Sequence, residues 1–203
     1  MPAEYTTCDI LNLVTDFKNW SYLELGVGNN SNFEAIKCAS KISVDIEKNA
    51  TWKGTTDDYF KQLPTQTKFD VIFIDACHHY DFVLKDFNNS IGHCNKWIIM
   101  HDMIPPTEAH TTKGRCSDGY KLLHHMIRKT NMQIYPMQDP ARLGLTFIKM
   151  PGTRIVPSPA NKDMSYLEFS SWIKTARLYE ENEILDILNH SLKNDSSQST
   201  TKL

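Results

Sequence analysis

Short apolar runs rich in Ile, Val and Phe alternate along this chain with longer segments whose apolar positions recur at helical spacing. The first kind suits strands buried on both faces, and the second suits helices that cover them. Strands are predicted at 22–25, 42–46, 52–55, 69–75 and 97–102, and helices at 9–17, 32–40, 57–63, 82–91 and 119–129. Strict alternation of this type builds an α/β domain around a parallel sheet. The rhythm then changes: MQIYPM, a turn-like QDPARLG and LTFIKM read as two strands joined without a helix, an antiparallel hairpin at the sheet edge.

Beyond the hairpin, PGTRIVPSPANKD is a proline-punctuated connector. The stretch 165–189 reads as one helix with Tyr166, Phe169, Trp172, Ile173, Ala176 and Tyr179 on one stripe. Such a stripe serves the domain core first, and a homodimer or partner contact second. The organisation expected is therefore a main domain at 1–150, a connector and packed helix at 151–190, and a polar, disordered tail at 191–203. No internal repeat is visible.

Composition narrows the class. The 203 residues are 40% hydrophobic and 23% charged, enough for one globular domain with a sizeable core. Lys and Arg total 22 against 24 Asp and Glu, so a net charge of -2 offers no broad field for nucleic acid or an anionic membrane. The five cysteines, Cys8, Cys38, Cys77, Cys94 and Cys116, include no C-x-x-C pair, which points to reduced thiols rather than a disulfide scaffold or zinc knuckle. The start of the chain lacks a basic segment followed by an apolar one, and VIFI and WIIM are far too short to span a bilayer. A soluble, cytoplasmic protein is expected.

The chemistry gathers where predicted strands end. In SYLELGVGNNSNF a strand runs into Gly26 and Gly28, which permit a tight turn and close ligand approach; a dinucleotide site would want a third glycine where Ser31 stands. Asp45 closes the second strand, placed to accept hydrogen bonds from the hydroxyls of a ribose. The segment KGTTDDYF opens a helix, with Thr56 as its cap and Asp57 free to face a base. Asp75 ends the fourth strand and is followed by His78, and His101 and Asp102 end the fifth. Ligands of open α/β sheets sit at these carboxyl ends, so the four should converge. Three of them could hold a divalent cation, or one histidine could act as general base; the residues alone leave both roles open.

The ordered series of ELGVG, an acidic second-strand end, GTTDDYF, FDVIFIDACHHY and WIIMHDMIPP resembles the class I S-adenosylmethionine-dependent methyltransferases over residues 18–150. The similarity is to the subgroup with D-x-x-H-x-Y after the fourth strand (Asp75, His78, Tyr80) and His-Asp after the fifth (His101, Asp102). It implies a Rossmann-like three-layer sandwich, with a mostly parallel seven-stranded sheet closed by an antiparallel C-terminal strand. It also implies S-adenosylmethionine as cofactor, with Glu24 and Gly26 at its methionine end, Gly28 lining it and Asp45 on the ribose. Thr56 and Asp57 would flank the adenine, and Asp75 would stand beside the methyl donor. Asp75, His78 and His101 become the catalytic candidates. Asp75, His101 and Asp102 become the metal candidates, for Mg2+ in related enzymes, although a histidine stands where those have an acid.

The reading is O-methylation of a small-molecule or sugar hydroxyl. An NAD-dependent oxidoreductase, which predicts parallel strands after residue 130, and a non-catalytic nucleoside-binding module are the alternatives. Nucleic acid is disfavoured as a substrate because DACH stands where an NPPY-like element would. The loop 104–119 fits no pattern and reads as a substrate cover or a plain surface loop.

Overall fold

A computed structural model describes residues 5–15, 19–29, 31–47, 49–112, 114–138, 143–157 and 162–199. Its strands are β1 (Ser21–Leu25), β2 (Ser40–Asp45), β3 (Trp52–Lys53), β4 (Phe69–Ile74), β5 (Cys94–Met100), β6 (Gln133–Met137) and β7 (Leu145–Lys149). They form one seven-stranded sheet in the order β3-β2-β1-β4-β5-β7-β6. The strands from β1 to β5 pair in parallel, and β7 inserts antiparallel between β5 and β6. The more apolar arm of the hairpin takes the inner place: all but the last residue of β7 is buried, whereas β6 starts exposed.

The helices are α1 (Thr7–Thr15), α2 (Ser31–Ala35), α3 (Thr56–Gln62), α4 (Tyr80–Ile91), α5 (Tyr120–Lys129), α6 (Tyr166–Ile173) and α7 (Glu181–Ser199). Successive strand residues go to opposite faces. Leu23, Leu25, Ile72, Ile74, Ile98 and Met100 pack with Phe87, Leu122 and Met126 of α4 and α5. The residues between them, Tyr22, Val71, Phe73, Trp97 and Ile99, pack with Ile10, Val14, Ile184 and Leu188 of α1 and α7. Both faces are covered, which is why the strands read as continuous apolar runs, and the result is a Rossmann-like three-layer sandwich.

Two departures from the sequence reading have local causes. The helix expected over 32–40 stops at Ala35 because the Lys41 ammonium donates to the carbonyls of Phe33, Glu34 and Ile36 at 2.7, 3.2 and 3.0 Å, satisfying its last turn. The single helix expected over 165–189 is two. The Tyr179 N–H donates to the Pro136 carbonyl at 2.9 Å, and the Gln138 N–H to the Tyr179 carbonyl at 3.3 Å. This strand-like bridge to Met137 consumes the backbone groups that a continuous helix would need.

The expected stripe is divided accordingly. Phe169 is fully buried with its ring 4.6 Å from that of Tyr120, while Tyr179 meets Tyr135 at 5.4 Å. Anchored by buried Ile184 and Leu188, the helical backbone runs to Ser199, into the segment expected to be a disordered tail from 191; residues 200–203 lie outside the described ones. Among the described residues no helix is long and apolar enough to cross a membrane.

Candidate active site

The backbone after β1 sets the floor of a cavity of about 480 Å3, lined by Gly26, Gly28, Asp45, Thr56, Asp75 and Asp86 among others. Gly26 and Gly28 adopt φ of 83° and 48°. A Cβ on Gly26 would lie 2.4 Å from the Ala76 Cα and from the Asp75 carbonyl oxygen, so the ends of β1 and β4 meet with no room for a side chain. Asp45 fastens the floor: Oδ2 accepts from the Val27 and Gly28 N–H groups at 2.7 and 3.3 Å, and Oδ1 accepts from the Glu47 N–H at 2.9 Å. Ile46 and Phe82, 65% and 56% exposed, offer apolar surface at the same cavity, an unusual cost to leave in solvent unless something covers it.

Not every expected cofactor residue is in this wall. Glu24 is buried on β1, away from the lining; its carboxylate accepts from the Tyr22 hydroxyl at 2.7 Å, and burial pushes its carboxyl up to about 7. The cap of α3 is Thr55 rather than Thr56, its hydroxyl accepting from the Asp58 N–H. With the helix starting one residue earlier, Thr56 turns to the cavity and Asp57 turns away. Asp57 pairs with Lys85 and borders a separate cleft of about 360 Å3 with Asn89 and Arg154. The acid that reaches the cavity from this side is Asp86 of α4, which the sequence reading missed.

Asp75 belongs both to the cavity and to a second constellation. Asp75, His78, His101 and Asp102 each present a ligand atom within 4.8 Å of the others. His78 Nδ1 donates to the Arg115 carbonyl at 2.8 Å and lies 3.1 Å from Asp102 Oδ2, while Nε2 lies 3.1 Å from Asp75 Oδ1. His101 Nδ1 stands 3.1 Å from Asp75 Oδ1 and 3.0 Å from Asp102 Oδ1, yet His101 Nδ1 and Asp102 Oδ1 are buried without an aligned hydrogen bond. Asp102 holds φ of 59°, a left-handed backbone for a residue with a side chain, which turns its carboxylate back onto the two rings.

The charges lock together. Burial works against the imidazolium of His101, but the facing carboxylates of Asp102 and Asp75 outweigh it and raise its pKa to about 10. Burial opposes His78 in the same way, and Asp75 and Asp102 again raise it. Burial likewise opposes the Asp75 carboxylate, which the two histidines nevertheless hold below the usual range. Without a further cation, His101 is thus protonated near neutrality and His78 is shifted toward its protonated form, facing the same two carboxylates. A proton-accepting histidine, as the sequence reading asks of His78 or His101, requires something else positive to take the place of a ring proton.

The unassigned loop 104–119 has a firm second half. Besides the Arg115 carbonyl on His78, Asp118 accepts from the Tyr80 N–H at 2.7 Å and Ser117 Oγ lies 2.8 Å from His79 Nδ1. Cys116 and Ser117 are buried. This half of the loop is a strap that sets His78 and the start of α4; no spacing in it signals that role, because the contacts run to residues nearly forty positions earlier.

No family model matches the sequence, and no curated protein does. Solved structures do match the fold. Cofactor-bound Rv0187 from MTB superposes with a TM-score of 0.58 at 12% identity, over 75% of this chain and 84% of that one. The O-methyltransferase TomG from Streptomyces achromogenes, in complex with SAM, gives 0.52 at 13% identity over 70% and 77% of the two chains. An O-methyltransferase from Bacillus cereus with SAH gives 0.51 at 13% identity over 73% and 83%. At these identities the likeness establishes architecture alone: the chain has a Rossmann-like fold with a reversed seventh strand, and in fold it is similar to these two O-methyltransferases.

Proposed function

We propose that this protein is an S-adenosylmethionine-dependent methyltransferase that methylates a hydroxyl of a small molecule. The observation that carries the reading is the double membership of Asp75, which lines the nucleoside-sized cavity and also joins the two-histidine, two-carboxylate cluster beside it. A sulfonium held in the cavity would bring its methyl group to that boundary. Transfer is an in-line displacement: the acceptor oxygen forms the C–O bond as the C–S bond breaks, S-adenosylhomocysteine leaves, and the hydroxyl proton passes to the carboxylate of Asp75, the cluster member that lines the cavity. The protein's main work is alignment, with Gly26, Gly28 and Asp45 fixing the donor and Asp75, His78, His101 and Asp102 receiving the acceptor. The reversed β7 favours this reading over an NAD-dependent oxidoreductase, which predicts a parallel continuation.

The residues present also fit a divalent cation. His101 Nδ1 and Asp102 Oδ1 are buried polar atoms without an aligned hydrogen bond, and a doubly charged ion would balance the two carboxylates in place of ring protonation. Asp75, His101 and Asp102, with His78, would hold it, and when bound it would lower the pKa of a coordinated hydroxyl. Two imidazoles in the donor set favour Mn2+ or Zn2+ over Mg2+, which prefers oxygen alone.

Calorimetric titration tests the cofactor: S-adenosylhomocysteine is expected to bind in the micromolar range and NAD not to bind, while NAD binding in its place would sink the methyltransferase reading. The metal has its own test. Mn2+ at about 100 times its dissociation constant is expected to raise the melting temperature by roughly 5–10 °C, Mg2+ by much less. The shift should vanish in His101→Ala. Equal shifts with both ions, or a shift that survives the substitution, would leave the cluster as an ion-pair network.

A further inference from the structure

Five acids crowd the described cavity and its surroundings, and four are accounted for, Glu47 among them because it is exposed to solvent. Asp45 spends both oxygens on backbone N–H groups, Asp75 faces His78 and His101, and Asp57 is paired with Lys85 outside the cavity. Asp86 is different. It lies in the middle of α4, 3% exposed, among the buried side chains Val83, Leu84, Phe87 and Ser90, at a helix position that an aliphatic residue would fill at lower cost. The Thr56 hydroxyl donates to its carboxyl; the nearby lysine, Lys85, is engaged with Asp57. Burial pushes the carboxyl up to about 7. A buried acid kept with so little compensation, on the wall of a cavity, is oriented toward something that the cavity receives.

The surroundings define what that is. Thr56 and Phe82 line the same part of the wall as Asp86, and Ile46 and Asp45 follow from the neighbouring strand end. Apolar surface at Ile46 and Phe82 suits the faces of a planar ring, and an acid at the ring's edge suits an exocyclic amine. We propose that Asp86 is the residue that selects adenine, accepting a hydrogen bond from its amino group and rejecting bases that carry a carbonyl there. The proposal rests on the nucleoside reading of the cavity and goes beyond it by assigning base choice to one side chain on α4. An acceptor oxygen is present whether the carboxyl is ionised or not, whereas the carbonyl of hypoxanthine would meet the ionised group as acceptor against acceptor.

The test is calorimetry at roughly pH 8.5, where the carboxyl is ionised. The ligands are S-adenosylhomocysteine, its analogue with hypoxanthine for adenine, NAD and its hypoxanthine analogue, each on the wild type and on Asp86→Asn. The wild type is expected to prefer the adenine form of whichever ligand binds by about 10- to 100-fold. Asp86→Asn, which keeps shape and adds an amide donor, should shrink that preference by about tenfold or more. A wild type indifferent to the base, or a preference untouched by the substitution, overturns the assignment while the methyltransferase reading stands. Discrimination seen with NAD in place of S-adenosylhomocysteine upholds Asp86 and overturns the methyltransferase. Binding of none of the four overturns both.

Discussion

Gly26→Ala should fail to fold to a stable product, or unfold at a much lower denaturant midpoint, with a loss of about 3 kcal/mol or more. The residue sits at φ of 83°, and the added methyl would stand 2.4 Å from the Ala76 Cα and from the Asp75 carbonyl oxygen. Those atoms are backbone at the end of β4, held by the Asp75 N–H donating to the Leu25 carbonyl at 2.8 Å, so no rotamer can clear the way. Gly28→Ala is the matched control. Its φ of 48° lies in the left-handed region, yet nothing comes within 4 Å of the added Cβ. It should cost only the left-handed penalty, roughly 1–2 kcal/mol, and keep its fold. Chemical denaturation of both proteins decides the matter; similar losses would show that the close approach at Gly26 is not what demands glycine there.

This contrast marks how far the sequence could be read. That a G-x-G follows β1 is visible, but which of its glycines touches a neighbouring strand depends on β4, more than forty residues later. The inner parallel strands β1, β4 and β5 were legible because they are largely buried on both faces and so read as apolar runs. Toward the edge, β2 and β3 are only partly buried and read less clearly, and the hairpin was legible because its two runs lack a helix between them. The convergence of Asp75, His78, His101 and Asp102 was legible for the same reason: neighbouring parallel strands deliver their ends to one edge.

What escaped depended on tertiary contacts. Thr55 and Thr56 are chemically equal as caps, and choosing between them moves Asp57 from the cavity to Lys85. Asp86 looks like an ordinary polar position of an amphipathic helix until α4 is laid against the start of α3, where Thr56 stands. The stripe from Tyr166 to Tyr179 keeps helical spacing throughout, and only the edge of β6 breaks it.

Asp45→Ala should weaken S-adenosylhomocysteine by about 100-fold, near 2.8 kcal/mol, while costing the fold about 1–3 kcal/mol. The carboxylate is acceptor to the Val27, Gly28 and Glu47 N–H groups, so it joins the loops after β1 and β2 into one surface. Removing it leaves a floor that must be ordered again when ligand arrives. Two sources of the loss can be separated. A carboxylate that only holds the loops affects every nucleoside alike, whereas one that also meets the ribose affects ligands in proportion to their hydroxyls. Titrating S-adenosylhomocysteine and its 2′-deoxy analogue against the wild type and Asp45→Ala makes the distinction. The expected result is a wild type that penalises the missing hydroxyl by about tenfold and a variant that scarcely does. An equal penalty in both proteins would confine Asp45 to the loops, and unchanged affinity in Asp45→Ala would remove it from the site.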